Sequence, residues 1–342
     1  MKLKEFAREI GLSPTTVSRA LSGYPEVNEA TRARVMEEAA RLGYHPNINA
    51  VRLATGRAGA IGVVMTKAGD YQFSEFMSGM ADRLSGEDID ILITPMAEHD
   101  TGDEIQLYRR LAESRRVDAV VIHSPRPRDP RIALLHQLKL PFIVHGRSET
   151  EIPHAWLDID NEGAIRRSTE HLLDLGHRRI ALLNGREGLT FTLHRLAGYK
   201  AALAERGVPF DPKLVTHGTF TDEIGFRYAR SALEQRPRPT AFVAGSMMTA
   251  LGVYRAARSM NLVLGRDISV IAHDDVFPYL TAENMAPSLS TTRSSLRAAG
   301  SRITDLLLQM LSGREASDIG ELWPIELILR ETSRPVPKDA AE

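Results

Sequence analysis

The sequence predicts a chain of two parts: a small all-α unit at the amino terminus, then a larger α/β unit of two lobes, each built on a doubly wound parallel sheet. Three observations support this fold class. The first 58 residues carry only helical patterns, whereas short apolar runs alternate with amphipathic stretches of helical period from Ala60 onward. That alternation occurs as two consecutive series. The 342 residues also exceed the size at which one core usually suffices.

The composition is that of an ordinary globular protein, with 43% hydrophobic and 25% charged residues and no cysteine. Disulfides and thiolate metal sites are therefore excluded, which fits a reducing cytoplasm. The opening MKLKEFAREIGLS lacks the apolar run of a secretory signal, and we find no stretch near the ~20 apolar residues of a membrane span. Residues 1–58 hold nine basic and six acidic side chains, and the remainder holds 34 and 38, so the basic excess lies at one end.

The all-α unit contains three short helices with recognisable ends. Gly11 ends the first helix, and Ser13 followed by Pro14 begins the second with a hydroxyl cap and a proline at the first helical position. Asn28 caps the third helix, and Gly43 ends it.

The α/β unit shows nine buried strand patterns separated by helical ones. The strands are predicted at 61–65, 88–93, 117–123, 140–146, 155–160, 178–185, 214–218, 240–246 and 267–275. The helices are predicted near 75–85, 103–115, 130–138, 162–176, 192–206, 222–235 and 249–261. Ligands of such sheets bind where the strand carboxyl ends open onto a crevice, which becomes a cleft between two lobes.

The polar second helix can be interpreted in two ways. Thr15 and Arg19 share a face opposite Val17, as in the recognition helix of a helix-turn-helix, where arginine pairs with guanine and a threonine methyl contacts thymine. The alternative is a solvated helical hairpin whose Ser and Thr residues are only caps. The sequence has no glycine-rich phosphate loop, no Gly-x-Ser-x-Gly and no His-Glu-x-x-His, which lowers the expectation of catalysis.

The run SPTTVSRALSGYPEVNEATRARVMEEAARLGYHPN resembles the DNA-binding headpiece of the LacI/GalR family of transcriptional regulators. AVRLATGR, DNEGA, HLLDLGHRRIALLNG, RLAGYKAAL, ALGVYRAA and DISVIAHDD follow in the family's order, so the resemblance covers nearly the whole chain. FIVHGRS followed by LDIDNEGA is similar to regulators of α-glucoside utilisation in soil α-proteobacteria. The resemblance implies a helix-turn-helix headpiece at 1–46, a hinge helix at 47–58, and a periplasmic-binding-protein-like effector-binding and dimerisation domain at 59–342, with lobe crossovers near 160 and 290.

The resemblance also implies the DNA-contacting residues. Positions 14, 15 and 19 match those that read operator bases, and Leu53 matches the hinge leucine that wedges into the minor groove. The alternative for Leu53 is a dimer contact within the linker. The full set is Pro14, Thr15, Thr16, Ser18, Arg19, Asn28, Thr31, Tyr44, Asn47 and Leu53.

For the effector cleft the resemblance implies an arginine and a carboxylate that face sugar hydroxyls, with an aromatic ring on the sugar face. Each has a structural alternative: a helix ion pair for Arg195, a helix cap for Asp160 or Asp274, and core packing for Phe73 or His145. Ser246 stands near where many relatives carry Asn-Asp, a departure that puts the sugar class in doubt. The implied set is Phe73, His145, Arg147, Asp160, Arg195, Ser246 and Asp274.

The resulting functional prediction is a cytoplasmic, sequence-specific repressor of carbohydrate uptake or catabolism genes, switched by a small-molecule sugar. We expect a homodimer on pseudo-palindromic operator DNA, with no cofactor, no metal, no membrane partner and no enzymatic activity. A solute-binding protein of the transport type and a sugar kinase or isomerase are the alternatives. The residues do not reveal the effector, the operator, or whether the effector releases or promotes DNA binding, and they leave a dimer or a higher oligomer open. The carboxyl terminus has no leucine heptad for a coiled-coil tetramer.

Overall fold

The computed structural model describes residues 1–21, 23–45, 56–65, 71–96, 101–273 and 280–336, with the backbone alone at 71–72 and 101–103. The chain divides into two compact units, Met1–Gly59 and Ala60–Glu342. Within the described ranges, no helix has the length and apolar character needed to cross a membrane.

The described part of the first unit contains three helices, α1 (Leu3–Glu9), α2 (Pro14–Leu21) and α3 (Glu29–Leu42). The predicted caps are confirmed: the Thr16 amide donates to the Ser13 hydroxyl at 3.0 Å, and the Thr31 amide donates to the Asn28 side chain at 2.8 Å. Gly43 ends α3 in the left-handed conformation, with φ of 60°. The small core is made by Phe6, Ala7, Ile10, Val17, Ala20, Val27, Val35, Ala39 and Tyr44.

The second unit alternates strands and helices, and its elements are named here in chain order. The strands are β1 (Ala60–Met65), β2 (Asp90–Pro95), β3 (Ala119–His123), β4 (Phe142–His145), β5 (Ala155–Ile159), β6 (Ile180–Asn184), β7 (Val215–His217), β8 (Ala241–Ala244), β9 (Ser269–His273), β10 (Ser290–Arg293), β11 (Gly320–Trp323) and β12 (Glu326–Ile328). The helices are α4 (Tyr71–Leu84), α5 (Thr101–Glu113), α6 (Pro130–Gln137), α7 (Asn161–Asp174), α8 (Thr190–Glu205), α9 (Asp222–Leu233), α10 (Met247–Ser259) and α11 (Leu296–Leu311).

These strands form two sheets, each of six strands within the described residues. The first has the order β11-β5-β4-β3-β1-β2, and the second has the order β12-β10-β9-β8-β6-β7. All described pairs of neighbouring strands are parallel except β10 with β12. The predicted fold class is confirmed.

The chain crosses between the sheets three times in the described part of the molecule. It passes from β5 to α7 at Asp160, from β10 to α11 through Ser294 and Ser295, and from β11 to β12 at residues 324–325. The sequence predicts crossings near 160 and 290, and the third adds one edge strand to each sheet. Each lobe is therefore assembled from distant parts of the chain.

Paired helices pack closely over both sheets because glycines let their backbones approach. A Cβ at Gly198 of α8 would lie 2.1 Å from the Glu162 carbonyl oxygen of α7, and one at Gly300 of α11 would lie 2.0 Å from the Phe76 carbonyl oxygen of α4. Neither position accepts a side chain without movement of backbone. These glycines therefore set the close separation of α7 from α8 and of α4 from α11.

Candidate functional site

Helix α2 presents the polar face that its sequence predicts. Val17 and Ala20 are buried in the headpiece core, whereas Pro14, Thr15 and Arg19 are exposed. Thr15 and Arg19 are one turn apart and project from the same side of the helix. A base-reading helix needs this arrangement, with an anchored apolar face and free polar side chains near its amino terminus.

The other predicted DNA contacts lie in different local settings. Thr16 and Ser18 are half-buried, and the Thr16 hydroxyl lies 2.8 Å from the Ser13 hydroxyl. Asn28 and Thr31 belong to the amino-terminal cap of α3, where backbone amides suit a phosphate. Asn47 and Leu53 lie outside the described residues.

Tyr44 differs from the other predicted contacts because its ring belongs to the headpiece core. It is 6% exposed and stacks on Phe6 with ring centroids 4.3 Å apart. Burial raises the pKa of its hydroxyl. Two arginines that the sequence does not distinguish also support the headpiece: Arg32 donates to the Tyr24 carbonyl and Arg34 to the Ile10 carbonyl, both at 2.8 Å.

A cleft of about 580 Å³, part of it open to solvent, lies at the carboxyl ends of strands from both sheets. Strands β3, β4 and β9 end in histidines that line it, namely His123, His145 and His273. The other lining residues are Ser124, Pro125, Gly146, Asp158, Ile159, Asn161, Phe191, Arg195, Phe220, Ser294 and Leu296.

Arg195 occupies the second-lobe wall of this cleft, as the sequence predicts. Its side chain is buried, its Nε donates to Asn161 Oδ1 at 2.8 Å, and its Nη1 donates to the Gly245 carbonyl at 3.0 Å. The guanidinium carbon lies 4.9 Å from the Phe191 ring centroid and 5.5 Å from that of Phe220. Two aromatic rings and two acceptors therefore fix the orientation of a planar cation in the cleft.

His145 lies on the opposite wall of the cleft, and the register of β3 with β4 determines which residue stands beside it. Strands β3 and β4 pair so that His123 stands beside His145, and their Nδ1 atoms are 2.9 Å apart. The Phe76 ring stacks on His145 with centroids 4.6 Å apart, and Phe73 meets His123 edge-on at 6.3 Å. Burial, with a smaller contribution from His123, holds the pKa of His145 well below its ordinary value. Phe73 is thus buried behind the histidines, and the cleft lining does not include it.

Arg147 forms a bridge beside the cleft. Its Nε donates to Asp158 Oδ2 at 2.9 Å, and its Nη2 lies 3.4 Å from His194 Nδ1 on α8 of the second lobe. Burial raises the pKa of Asp158 despite the neighbouring guanidinium. The two lobes also meet through Thr190, whose amide and hydroxyl donate to the Pro125 carbonyl at 2.9 and 3.0 Å.

Two predicted effector residues act as helix caps. Asp160 accepts from the Gly163 amide at 2.8 Å and begins α7, while Ser246 accepts from the Thr249 amide at 3.1 Å and begins α10. Neither belongs to the cleft lining, and Asp274 lies outside the described residues.

Several lining residues are not in the predicted set. Phe191 lies in the first turn of α8, four residues before Arg195, and Phe220 lies in the loop before α9. His123 and His273 carry a usable signal, because each ends a strand that faces the cleft. His273 Nδ1 lies 2.8 Å from Thr292 Oγ1. Among the described residues, no cluster of His, Asp or Glu has the arrangement of a metal site.

Comparison with known proteins agrees with this architecture. Residues 2–47 match the model of bacterial regulatory proteins of the lacI family, and residues 58–324 match that of periplasmic binding proteins and the sugar binding domain of the LacI family. The HTH-type transcriptional regulator AglR of Rhizobium meliloti (strain 1021) is 46% identical, over 98% of this chain and 95% of AglR. RafR of Escherichia coli is 33% identical, over 94% of this chain and 96% of RafR.

Solved structures show the same likeness. The Lac repressor dimer bound to operator and the anti-inducer ONPF superposes with a TM-score of 0.84 at 26% identity, covering 98% of this chain and 99% of that one. The CelR–cellobiose complex gives a TM-score of 0.71 at 27% identity, covering 97% and 99%.

The headpiece, the two-lobed fold and these matches define the class: a DNA-binding transcriptional regulator with a domain of the periplasmic-binding-protein type. The chain belongs to the LacI family of bacterial regulatory proteins.

Proposed function

We propose that this chain represses carbohydrate uptake or catabolism genes in the cytoplasm, and that a sugar bound in the cleft switches its affinity for operator DNA. One observation carries the proposal: the chain joins a helix that exposes Thr15 and Arg19 to a cleft in which Arg195 contacts two aromatic rings. Aromatic faces and a rigid donor suit a sugar. The similarity of FIVHGRS and LDIDNEGA to α-glucoside regulators favours an α-glucoside.

The proposed division is a headpiece at 1–46, a hinge at 47–58 and an effector-binding and dimerisation domain at 59–342. A helix as short as the hinge is marginal alone, so we infer that two copies order it on a pseudo-palindromic operator. Leu53 would then wedge into the minor groove, and Asn47 would contact phosphate.

Switching follows from the contacts between the lobes. A ligand that changes the spacing between Thr190 and Pro125, or between Arg147 and His194, changes the relative position of the lobes in the dimer. A coupling free energy of about 1–3 kcal/mol would alter operator affinity about 5- to 150-fold, with an equal reciprocal effect of DNA on the ligand. This reciprocal coupling holds both for an inducer, which weakens operator binding, and for a corepressor, which strengthens it.

The test is a fluorescence anisotropy titration of the full chain on a palindromic operator and on scrambled duplex, at several salt concentrations. We expect preference for the operator and a steep salt slope. Arg19→Ala should weaken operator binding by about 1–3 kcal/mol and nonspecific binding much less. Arg41→Ala is the matched control, because it removes an exposed headpiece arginine that pairs with Glu38 at 2.7 Å. Equal losses on both duplexes for Arg19→Ala would remove it from base reading.

We propose that the chain binds operator DNA and acts neither as an enzyme nor as a transport protein. A solute-binding protein or an enzyme would show no preference among duplexes. Equal affinity for operator and scrambled DNA, with and without sugars, would therefore overturn the proposal.

A further inference from the structure

A buried cluster of charged side chains lies in the first lobe, outside the cleft lining. Glu104 of α5, Asp129 before α6 and Arg131 of α6 are each 3% exposed, and we call them the ionic cluster. Arg131 Nη1 donates to Glu104 Oε1 at 2.6 Å. Arg131 Nε and Nη2 donate to the two carboxylate oxygens of Asp129 at 2.8 and 2.5 Å. Arg126 Nη2 donates to Glu104 Oε2 at 2.9 Å, so two cations balance two carboxylates.

Stability alone does not account for the ionic cluster. Each buried ion loses its hydration on folding, and well-packed apolar side chains of similar volume often stabilise a fold as well or better. The cap of α6 requires only Asp129, whose Oδ1 accepts from the Arg131 amide at 3.0 Å. The Arg131 guanidinium and Glu104 take no part in that cap. The remaining contacts of the guanidinium therefore indicate what the cluster does.

The Arg131 guanidinium also holds the carboxyl end of β3. Its Nη1 donates to the His123 carbonyl and its Nη2 to the Ser124 carbonyl, both at 3.3 Å. Ser124 has a φ of 50°, in the left-handed region that residues other than glycine rarely adopt. Such a conformation persists where surrounding contacts hold it, and the guanidinium supplies one of them. The ionic cluster thus fixes the point at which the chain leaves β3.

The loop that begins at Ser124 carries a contact with the second lobe. The Pro125 carbonyl accepts from the amide of Thr190 at 2.9 Å and from its hydroxyl at 3.0 Å. Pro125 lies between Ser124, whose carbonyl Arg131 holds, and Asp129, whose carboxylate Arg131 holds. A displacement of the guanidinium therefore displaces the acceptor that Thr190 uses.

The same loop is joined to the loop between β4 and β5. The Asp129 amide donates to the Ser148 hydroxyl at 3.2 Å, and that hydroxyl donates to the Pro127 carbonyl at 2.8 Å. Ser148 follows Arg147, whose Nη2 lies 3.4 Å from His194 Nδ1 of the second lobe. Both of these contacts between the lobes thus belong to loops that the ionic cluster ties together.

We propose that Glu104 and Arg131 are positioning residues for the switch: they hold the Pro125 carbonyl where Thr190 meets it, and so control the lobe spacing to which operator affinity responds. This inference rests on the proposed function, because that function links lobe spacing to operator affinity. It assigns control of the spacing to side chains outside the cleft lining.

The first measurement is hydrogen exchange of the full chain without ligand, by mass spectrometry that resolves single amides. The cluster variant combines Glu104→Gln, Asp129→Asn and Arg131→Met, which removes the three charges together and keeps a capping side chain before α6. We expect the Thr190 amide to exchange several-fold faster in this variant. The Leu193 amide donates to the Leu189 carbonyl of its own lobe and should be unaffected.

The second measurement is operator affinity of the same samples by fluorescence anisotropy. Thr190→Val removes the hydroxyl from the same contact with Pro125. We expect the cluster variant and Thr190→Val to shift operator affinity in the same direction, each by about 2- to 30-fold. Combining them should shift it little beyond the larger single effect, because both act through Pro125.

The matched control removes another ion pair of the first lobe. Arg302 of α11 donates to Glu321 of β11 at 2.7 Å, and neither residue lines the cleft. Arg302→Met with Glu321→Gln should leave Thr190 exchange and operator affinity unchanged. Arg131→Lys is a second test that keeps the charge but lacks the forked guanidinium, and it should also speed Thr190 exchange.

A merely structural cluster would lower Tm while leaving Thr190 exchange and operator affinity unchanged well below Tm, and that result would overturn the inference. Shifts in opposite directions, or fully additive ones in the combined variant, would overturn it as well. If the cluster variant does not fold, unchanged Thr190 exchange in Arg131→Lys has the same force. Loss of operator preference in the unaltered chain refutes the proposed function instead, while Thr190 exchange still tests the positioning.

Discussion

Replacing Arg195 with methionine tests the centre of the cleft, because methionine keeps much of the length and removes the charge. The change deletes the hydrogen bonds to Asn161 at 2.8 Å and to the Gly245 carbonyl at 3.0 Å, each worth about 1.5–3 kcal/mol for a charged donor. It also deletes the contacts with the Phe191 and Phe220 rings, about 0.5–1 kcal/mol each. Because the methionine variant has no buried cation to desolvate on folding, several kcal/mol of this loss are offset. The expected net loss in unfolding free energy is about 1–3 kcal/mol.

We expect Arg195→Met to weaken sugar binding proportionally more than it lowers the unfolding free energy. Methionine has no hydrogen-bond donor that could replace the guanidinium against a sugar hydroxyl. Losing one charged hydrogen bond of about 2–3 kcal/mol lowers affinity about 30- to 150-fold. Isothermal calorimetry with maltose, sucrose and trehalose measures this loss of affinity, and thermal unfolding with and without sugar measures it independently. Arg178→Met is the control, since Arg178 donates to the Leu173 carbonyl in the same lobe but does not line the cleft. A full sugar-induced shift in Arg195→Met, or in Arg195→Ala, would remove Arg195 from the site.

Three further predictions concern stability. Burial lowers the pKa of His177 and of His273, so both bind a proton less readily in the folded chain than in the unfolded one, and lowering the pH through the unfolded pKa of about 6.5 favours unfolding. Calorimetry should therefore show Tm falling from pH 7.5 to 5.5, and His273→Asn should make that fall shallower; an unchanged slope contradicts the assignment. Gly163→Ala would put a Cβ 2.0 Å from Asp160 Oδ2 and break the cap of α7, lowering the unfolding free energy by about 1–2 kcal/mol in urea titrations. Combining Gly163→Ala with Asp160→Ala should lower the unfolding free energy little further, because both changes break the same cap. Fully additive losses in the double variant would refute this coupling. Gly198→Ala should lower Tm by several degrees through the close approach of α7 and α8, and an unaffected Tm would show that the helices can separate freely.

Features with local causes could be predicted from the sequence. The caps at Ser13 and Asn28 depend on residues within three positions, and the strand patterns end within a few residues of the observed strands because burial follows apolar runs. The family resemblance implies that Arg195 faces the effector, and in the structure Arg195 lines the cleft.

Features with nonlocal causes could not be predicted in this way. Helix α11 and strand β10 are not among the predicted elements, although Leu296–Leu311 is amphipathic. Phe220 contacts Arg195 from the distant loop before α9, and only the register of β3 with β4 places His123 beside His145. Tyr44 shows the converse: its headpiece position suggests a phosphate contact, but packing against Phe6 decides where its ring lies.

The third crossing, at residues 324–325, has a consequence for how the chain matures. During synthesis neither sheet can gain its last edge strand until β11 and β12 have been made, although most of both lobes is by then complete. A chain interrupted after Arg293 would expose the open edges of β5 and β10 to pairing with other chains. We therefore expect nonsense or frameshift lesions between Arg293 and Gly320, which remove both strands, to produce aggregates in place of a shortened regulator.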